Sequence, residues 1–217
     1  MSYALKQINI AVPDLALAQD YWVKLIGPSA QRSDASVFPL SNVSLALHQS
    51  ATAQGLSGLV FEGEVLPDCL QRGIAVQFTA ATPDQPMTQI GDGLASDIAA
   101  VDHVVIRTRD GDAAVAFFAE KLGLRLALRQ TRPDWGGDMI FFRTQHMSIE
   151  VIANSKAPAQ DELWGLALRC ADLQACHQRL VTLGIDVSEV RDGRKAGTSV
   201  ATIRDAAIPL LLIGPQV

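Results

Sequence analysis

Apolar residues alternate with other residues between positions 101 and 109, and this period predicts a β-strand. Alternation places Val101, His103, Val105 and Arg107 on one face of the strand and Asp102, Val104, Ile106 and Thr108 on the other. Asp110 then offers a helix N-cap, and apolar residues recur at helical spacing as far as Gly123, a typical helix stop. The pattern therefore predicts a strand that runs directly into a helix.

The same strand, cap and helix pattern recurs along the chain, which predicts a repeat protein. At an offset of 96 residues Gln7 aligns with His103 and Asp14 with Asp110, and after an eight-residue deletion the offset becomes 104. Fainter copies begin near residues 58 and 164. Because one such unit cannot bury its apolar face alone, we expect neighbouring units to pack together.

The four units differ in completeness. Residues 101–153 and 164–213 each predict the order βαβββ, whereas residues 5–48 predict one strand, one helix and two further strands. The second unit, over residues 56–79, is the most eroded and predicts a strand, a short helix over 65–73 and one more strand. Residues 82–98 are rich in Pro, Asp, Gly and Ser and read as a linker.

Composition narrows the class of protein. The chain has 217 residues, 48% of them hydrophobic, which is enough for a sizeable core. Its net charge is −5, and residues 1–100 hold four Lys/Arg against nine Asp/Glu, while the remainder hold fourteen of each. The lack of a basic run argues against nucleic acid as a partner. No apolar run is long enough to span a membrane and no signal-peptide pattern is present, so a cytoplasmic location is expected.

Three cysteines, Cys69, Cys170 and Cys176, show no metal-binding or redox spacing. We expect them to be small buried apolar residues.

Paired βαβββ units with a histidine early in the first strand (Val101-Asp-His103) and a glutamate in the last (Ser148-Ile-Glu150) resemble the vicinal-oxygen-chelate superfamily. This group includes glyoxalase I, epimerases of acyl-CoA thioesters, extradiol dioxygenases and bleomycin-resistance proteins. The resemblance implies an α+β fold in which units pair into curved half-barrel sheets with helices outside. Residues 1–97 would form a degenerate first pair, and residues 98–217 a complete second pair.

The resemblance also implies a metal site. His103 and Glu150 would be ligands of one divalent metal (Fe, Mn, Ni or Zn), and Glu150 or a water molecule would serve as the catalytic base. The chain departs from the family pattern at the facing positions of the fourth unit, where Gly165 and Leu210 carry no ligand group. In the first unit the counterparts of His103 and Glu150 are Gln7 and Ala46, with His48 on the same strand face as Ala46.

Several residues allow a structural as well as a functional interpretation. His103 and Glu150 also fit a buried hydrogen-bonded pair across adjacent strands. Arg194 and Lys195 lie between glycines on a long loop, where they form either a solvated turn or a clamp for a carboxylate or phosphate. Three further arginines could add to an anion-binding surface: Arg107, Arg143 and Arg169.

Two functional hypotheses follow. The first is a metal-assisted lyase or isomerase that acts on a small anionic carbonyl compound. The second is a metal-free binding or sequestering protein of the bleomycin-resistance type, since a shared fold does not fix a function. In both cases the expected partner is a small anionic molecule, with a homodimer as one assembly to test, and neither nucleic acid nor a membrane.

Overall fold

The computed structural model describes residues 3–31, 34–81, 97–135 and 137–216. Most of the predicted linker, residues 82–96, lies outside these ranges. The first half contains β1 (Ala4–Val12), α1 (Leu15–Ile26), β2 (Ala30–Gln31), β3 (Ala35–Pro39), β4 (Ser44–Gln49), β5 (Gly55–Gly63), β6 (Cys69–Gln71) and β7 (Ile74–Ala80).

The second half is longer and more regular. Its strands are β8 (Ile98–Thr108), β9 (Arg125–Arg132), β10 (Gly137–Arg143), β11 (Ser148–Asn154), β12 (Glu162–Cys170), β13 (Arg191–Asp192), β14 (Thr198–Ile203) and β15 (Leu210–Pro215). Helix α2 (Gly111–Val115) continues as a π-helix (Ala116–Lys121), a short 3-10 helix follows β9 (Pro133–Trp135), and α3 spans Leu173–Thr182.

The strands form two sheets. The first has the order β2-β3-β4-β1-β5-β7-β6, and the second has the order β13-β14-β15-β12-β8-β11-β10-β9. Units one and two thus share the first sheet, while units three and four share the second. The predicted fold class, α+β with paired units and a degenerate first pair, is confirmed.

Helices α1, α2 and α3 begin in the same way. The side chains of Asp14, Asp110 and Asp172 accept a hydrogen bond from the backbone N–H three residues on, at 2.9–3.0 Å. This contact satisfies one of the free donors of the first helical turn. The repeated Asp cap seen in the sequence is therefore a repeated structural feature.

Two predicted elements are wrong. Residues 65–73 form no helix; β6 is a short strand there instead. Pro67 disfavours helical backbone at the preceding residue, and Asp68 accepts from the backbone N–H of Phe78 at 3.1 Å. The strand predicted over 187–190 is reduced to an isolated bridge between Val187 and Ile203.

Buried apolar side chains of both sheets form one continuous core. Helix α1 packs on β3 and β4, α2 packs on β11, and α3 packs on β14 and β15. Cys170 and Cys176 are buried as expected, whereas Cys69 is only half-buried. No helix in the described ranges combines the length and apolar character needed to cross a membrane.

Asn42 links the two sheets. Its Nδ2 donates to the carbonyl oxygens of Val101, at 2.7 Å, and His146, at 3.2 Å, and its Oδ1 accepts from the N–H of Val101 at 3.0 Å. The side chain is buried, with 6% of its surface exposed. One residue of the first half thus holds the start of β8 and the loop between β10 and β11.

Candidate functional site

The register between β8 and β11 brings His103 and Glu150 together. These strands run parallel, with His103 beside Ser148 and Val105 beside Glu150. The Nε2 atom of His103 lies 3.1 Å from Oε2 of Glu150, and the two side chains are only 15% and 13% exposed. We call the sheet surface that carries His103, Phe141 and Glu150 the His103 face.

A β-bulge adds a residue that strict alternation had placed elsewhere. Val101 pairs with Leu168 and His103 with Ala167, so Asp102 has no partner of its own on β12. A bulge turns the local backbone and re-aims its side chain. Asp102 therefore contacts Nδ1 of His103 through Oδ2 at 3.0 Å, and the predicted separation of Asp102 and His103 onto opposite faces is wrong.

The two carboxylates set the charge of the imidazole. Burial alone would lower the pKa of His103, but hydrogen bonds to Asp102 and Glu150 and their negative charges raise it to about 9. The hydrogen bond from His103 lowers the pKa of Asp102 to about 2 against the opposing effect of burial, and Arg169 adds to this lowering. In this arrangement His103 is an imidazolium that donates from both nitrogens.

Apolar side chains flank the ion pair. Phe141 lies opposite Glu150 on β10, and its ring meets the His103 ring edge-on with centroids 6.4 Å apart. Leu128 lies opposite Phe141 on β9 and is 42% exposed. The charged pair therefore stands beside an accessible apolar surface of the kind that a small organic ligand can cover.

The fourth unit contributes no ligand to this face. Gly165 is the counterpart of His103, and a Cβ there would lie 2.8 Å from the carbonyl oxygen of Pro209, so no larger side chain fits without movement. Strand β12 pairs with β15 as β8 pairs with β11, which makes Leu211 the counterpart of Glu150. The sequence had placed this counterpart one residue earlier, at Leu210.

His103 Nε2 and Glu150 Oε2 meet part of the geometric requirement for binding a metal ion. Two ligands about 2.1 Å from one ion and at right angles to each other lie about 3.0 Å apart, so the 3.1 Å between His103 Nε2 and Glu150 Oε2 suits such a pair. Within the described ranges, however, no three His, Cys, Asp or Glu side chains are grouped to hold an ion. His103 and Glu150 are thus two donors among the described residues, and two do not fit a resident metal, which usually takes three or more protein ligands.

The three predicted anion-binding arginines lie at different places. Arg169 donates to Asp102 at 3.1 Å, directly behind His103. Arg107 pairs with Glu162 at 3.4 Å and its guanidinium stands over the Trp164 ring at 5.9 Å. Arg143 is exposed at the end of β10.

The predicted anion loop lies at the edge of the second sheet. Arg194 and Lys195 are exposed in the turn between β13 and β14. Thr198 closes this turn by donating from its hydroxyl and its backbone N–H to the carbonyl of Lys195, at 2.6 and 3.2 Å. The role of these two cations in binding stays a prediction.

In the first sheet, amide side chains occupy the region that corresponds to the charged His103 face of the second sheet. Gln7 donates to Asn9 at 2.8 Å, and Asn9 donates to Gln77 at 3.3 Å. His48 lies 3.4 Å from the hydroxyl of Ser57. Gln7 belongs to the first sheet and His103 to the second, so the two do not share one strand array.

Sequence reasoning missed several polar residues around these faces. Asp102 was missed because the bulge beside His103 leaves no mark in the apolar period. Asn9 and Gln77 come together only through the register of the first sheet. Arg125 was missed because it stands opposite Arg143, a pairing that only the strand register of β9 and β10 reveals.

The chain was then compared with known proteins. A family model described as the glyoxalase/bleomycin resistance protein/dioxygenase superfamily matches residues 102–202. No curated protein sequence matches the chain. The family match confirms the resemblance that His103, Glu150 and the repeated units had indicated.

Solved structures show the same fold over the whole chain. A mutant of 4-hydroxymandelate synthase from Streptomyces coelicolor has a TM-score of 0.72 at 13% identity, covering 100% of this chain and 94% of that one. The Mn(II)-bound glyoxalase from Novosphingobium aromaticivorans has a TM-score of 0.72 at 13% identity, covering 97% and 81%. The halotolerant catechol dioxygenase BphC has a TM-score of 0.70 at 11% identity, covering 99% and 87%. At these identities the likeness establishes the fold.

Proposed function

Because residues 102–202 match the model of the glyoxalase/bleomycin resistance protein/dioxygenase superfamily, we propose that the His103 face binds a small anionic carbonyl compound and moves a proton on it. The reaction class is that of a lyase or an isomerase. In this proposal residues 98–217 carry the site, and residues 1–97 support it.

The observation that carries the proposal is the chain of contacts from Asp102 through His103 to Glu150, at 3.0 and 3.1 Å. Asp102 fixes the orientation of the imidazole from behind, which leaves Nε2 to face the ligand. A positioned carboxylate and a positioned imidazolium are the usual partners for proton transfer next to a carbonyl group.

The chemistry can be written with these two side chains. A carbonyl oxygen of the ligand takes the place of Glu150 at Nε2 of His103 and accepts its hydrogen bond. The freed Glu150 carboxylate removes a proton from the neighbouring carbon, and His103 stabilises the enolate oxygen that forms. Return of the proton to another carbon gives an isomer, whereas loss of a leaving group from the next carbon completes an elimination.

The charge of the ligand is proposed from the nearby cations. Arg169 lies one contact behind His103, and Arg143 is exposed at the end of β10. A guanidinium binds a carboxylate through two parallel hydrogen bonds. The loop cations Arg194 and Lys195 are a further candidate anchor for the same negative group.

Proton exchange tests the proposal directly. Chelator-treated protein would be incubated with 2-oxo acids such as 2-oxobutyrate in D2O, and loss of the C3 proton signal followed by NMR. We expect exchange that Glu150→Gln abolishes and that His48→Gln, a matched change in the first sheet, leaves intact. Exchange that appears only with added Mn, Fe, Ni or Zn, and that His103→Ala removes, would show instead that a metal with a third donor from elsewhere assists the reaction.

A second function is favoured by the closed state of the ion pair. Glu150 accepts from His103 in the free protein, so no base stands free until a ligand separates them. A metal-free binding or sequestering protein would keep the pair closed. Calorimetric binding of the oxo acid without any exchange would support this second function and overturn the first.

A further inference from the structure

Several positively charged side chains lie together at one end of the second sheet. A cavity of about 710 Å³ opens where β9 begins and where β10 and β12 end. Its lining includes Arg125, Arg143, Arg169, His146 and Tyr3. We call this space the arginine cavity.

The strand register places two of these cations against each other. Arg125 and Arg143 are directly opposite in the antiparallel pair of β9 and β10. Both are exposed, and across the described ranges neither of them forms an ion pair. Like charges directly opposite destabilise a sheet. The protein thus maintains an unfavourable pair at this position.

The same two strands show how the chain treats other arginines. Arg129 on β9 pairs with Asp138 of β10 at 3.0 Å and with Asp112 of α2 at 2.6 Å. Acidic residues are plentiful in a chain of net charge −5. Among the described residues, Arg125 and Arg143 thus lack the acidic partner that Arg129 has, and that Arg169 in the same cavity has in Asp102, and a bound anion would supply the absent charge.

The wall of the cavity is held in place before any ligand arrives. The hydroxyl of Thr144 donates to the carbonyl of Met147 at 3.0 Å and accepts from its N–H at 3.2 Å, which closes a tight turn. Asn42 holds the carbonyl of His146 in the same turn at 3.2 Å. A preformed wall reduces the ordering cost of binding.

We propose that the arginine cavity binds the phosphate group of a small phosphate ester. Arg125 and Arg143 together carry two positive charges without an acidic partner in the described ranges, which favours an anion with more than one negative charge, and their planar forks match phosphate oxygens two at a time. Arg169, held by Asp102, lies at the third side. A volume of about 710 Å³ leaves room for the organic part of a small ligand beside Tyr3. Arg143 and Arg169 also belong to the anion-binding part of the function proposed above, but phosphate binding in the arginine cavity does not rest on proton transfer at Glu150.

Calorimetric titration at low chloride concentration tests the site, with inorganic phosphate, pyrophosphate and acetate as probes. We expect phosphate and pyrophosphate to bind more tightly than acetate, and Arg125→Gln/Arg143→Gln to weaken their binding by about tenfold or more, because two charge-assisted contacts are lost. Arg204→Gln/Lys156→Gln is the matched control: it removes the same charge elsewhere and should change affinity by less than about twofold.

Further variants keep the test decisive. Arg125→Lys/Arg143→Lys retains both charges and the fold but removes the paired donors, so it should bind phosphate between the parent and the Gln variant. Glu150→Gln should bind phosphate as the parent does, whatever its effect on proton exchange. Acetate binding equal to that of phosphate, or equal weakening in the control and the cavity variant, would overturn the proposal.

Discussion

The two sheets share one plan and differ in the charges built on it. Gln7 pairs with Ser44 in the first sheet as His103 pairs with Ser148 in the second. Strand β1 also has a bulge, at Lys6, which lies next to Gln7 as Asp102 lies next to His103. The same backbone thus presents a neutral amide in one half and an imidazole in the other.

The bulge residues themselves carry opposite charges. Lys6 pairs with Glu62 at 3.3 Å, and Asp102 pairs with Arg169 at 3.1 Å. Gln7 has no ionisable group for Lys6 to influence, whereas the carboxylate of Asp102 raises the pKa of His103 and so holds a proton on it. The fold therefore accepts either a positive or a negative side chain at the bulge. The sign of that charge decides whether the bulge can stabilise an imidazolium beside it.

Replacing the charged pair by the residues of the first sheet should have the largest effect. Glu150→Ala and His103→Gln install the counterparts Ala46 and Gln7, and each should slow deuterium exchange into the oxo acid by about 10²- to 10⁴-fold, since a positioned acid or base is lost. The NMR exchange rate is the measurement. Gln7→Ala, the control on the other sheet, should leave the rate unchanged. An equal loss of rate in this variant would contradict the conclusion that only the second sheet carries the reacting residues.

The next effect concerns pH and stability. The pKa of His103 is raised from 6.5 to about 9, so its contribution to stability is complete below pH 6.5 and is lost as the pH rises through 9. The loss is at most about 3 kcal/mol. Urea unfolding at pH 6 and pH 9.5 would measure it, and His103→Gln should show a smaller fall. A parent protein as stable at pH 9.5 as at pH 6 would contradict the ion pair.

The low pKa of Asp102 acts at the other end of the pH scale. Its folded value of about 2 lies below 3.8, so its contribution is present above pH 3.8 and is lost as the pH falls through 2. Stability from this cluster should therefore be greatest between about pH 4 and 6.5.

Two equivalent glycines offer a smaller test. A Cβ at Gly165 would lie 2.8 Å from a backbone oxygen of Pro209, whereas one at Gly58 would lie 3.1 Å from the oxygen of Ala75. Gly165→Ala should cost about 1–3 kcal/mol through overpacking, and Gly58→Ala should cost less. Chemical denaturation of both variants gives the comparison. Equal costs would mean that Gly165 is not held by this contact and that a ligand residue could stand there.

The smallest effect is expected at the first bulge. Lys6 is 35% exposed in its pair with Glu62, so Lys6→Gln should change the free energy of unfolding by less than about 1 kcal/mol. Asp102→Asn should in contrast lower the pKa of His103, which NMR titration of the imidazole would report. A large loss of stability in Lys6→Gln would show that this bulge pair is more than a surface contact.

The repeat made much of the fold predictable. Offsets of 96 and 104 residues align Gln7 with His103 and Ser44 with Ser148, and the strand pairs reproduce both alignments. The Asp caps were equally clear, because a cap is a local interaction between residues close in sequence. The proximity of His103 and Glu150 had been implied by the resemblance to the vicinal-oxygen-chelate superfamily.

The remainder depended on irregular backbone and on register. A bulge shifts side chains by one position and leaves the apolar pattern intact, which is why Asp102 was assigned to the wrong face. The opposition of Arg125 and Arg143 depends on how β9 and β10 align across the turn between them. In the eroded second unit, Pro67 opposed a helix that the comparison with better copies had suggested.

The hydrogen bonds of Asn42 give the first half a structural role that requires no catalytic residue there. Through this one amide, the first sheet holds the base of the strand that carries His103 and the turn that frames the arginine cavity. The first half, which has Gln7 and Ala46 where the second has His103 and Glu150, thus supports the second half structurally. Polar residues of the first half can then be replaced without loss of the His103 face, provided that Asn42 and its hydrogen bonds to Val101 and His146 are kept.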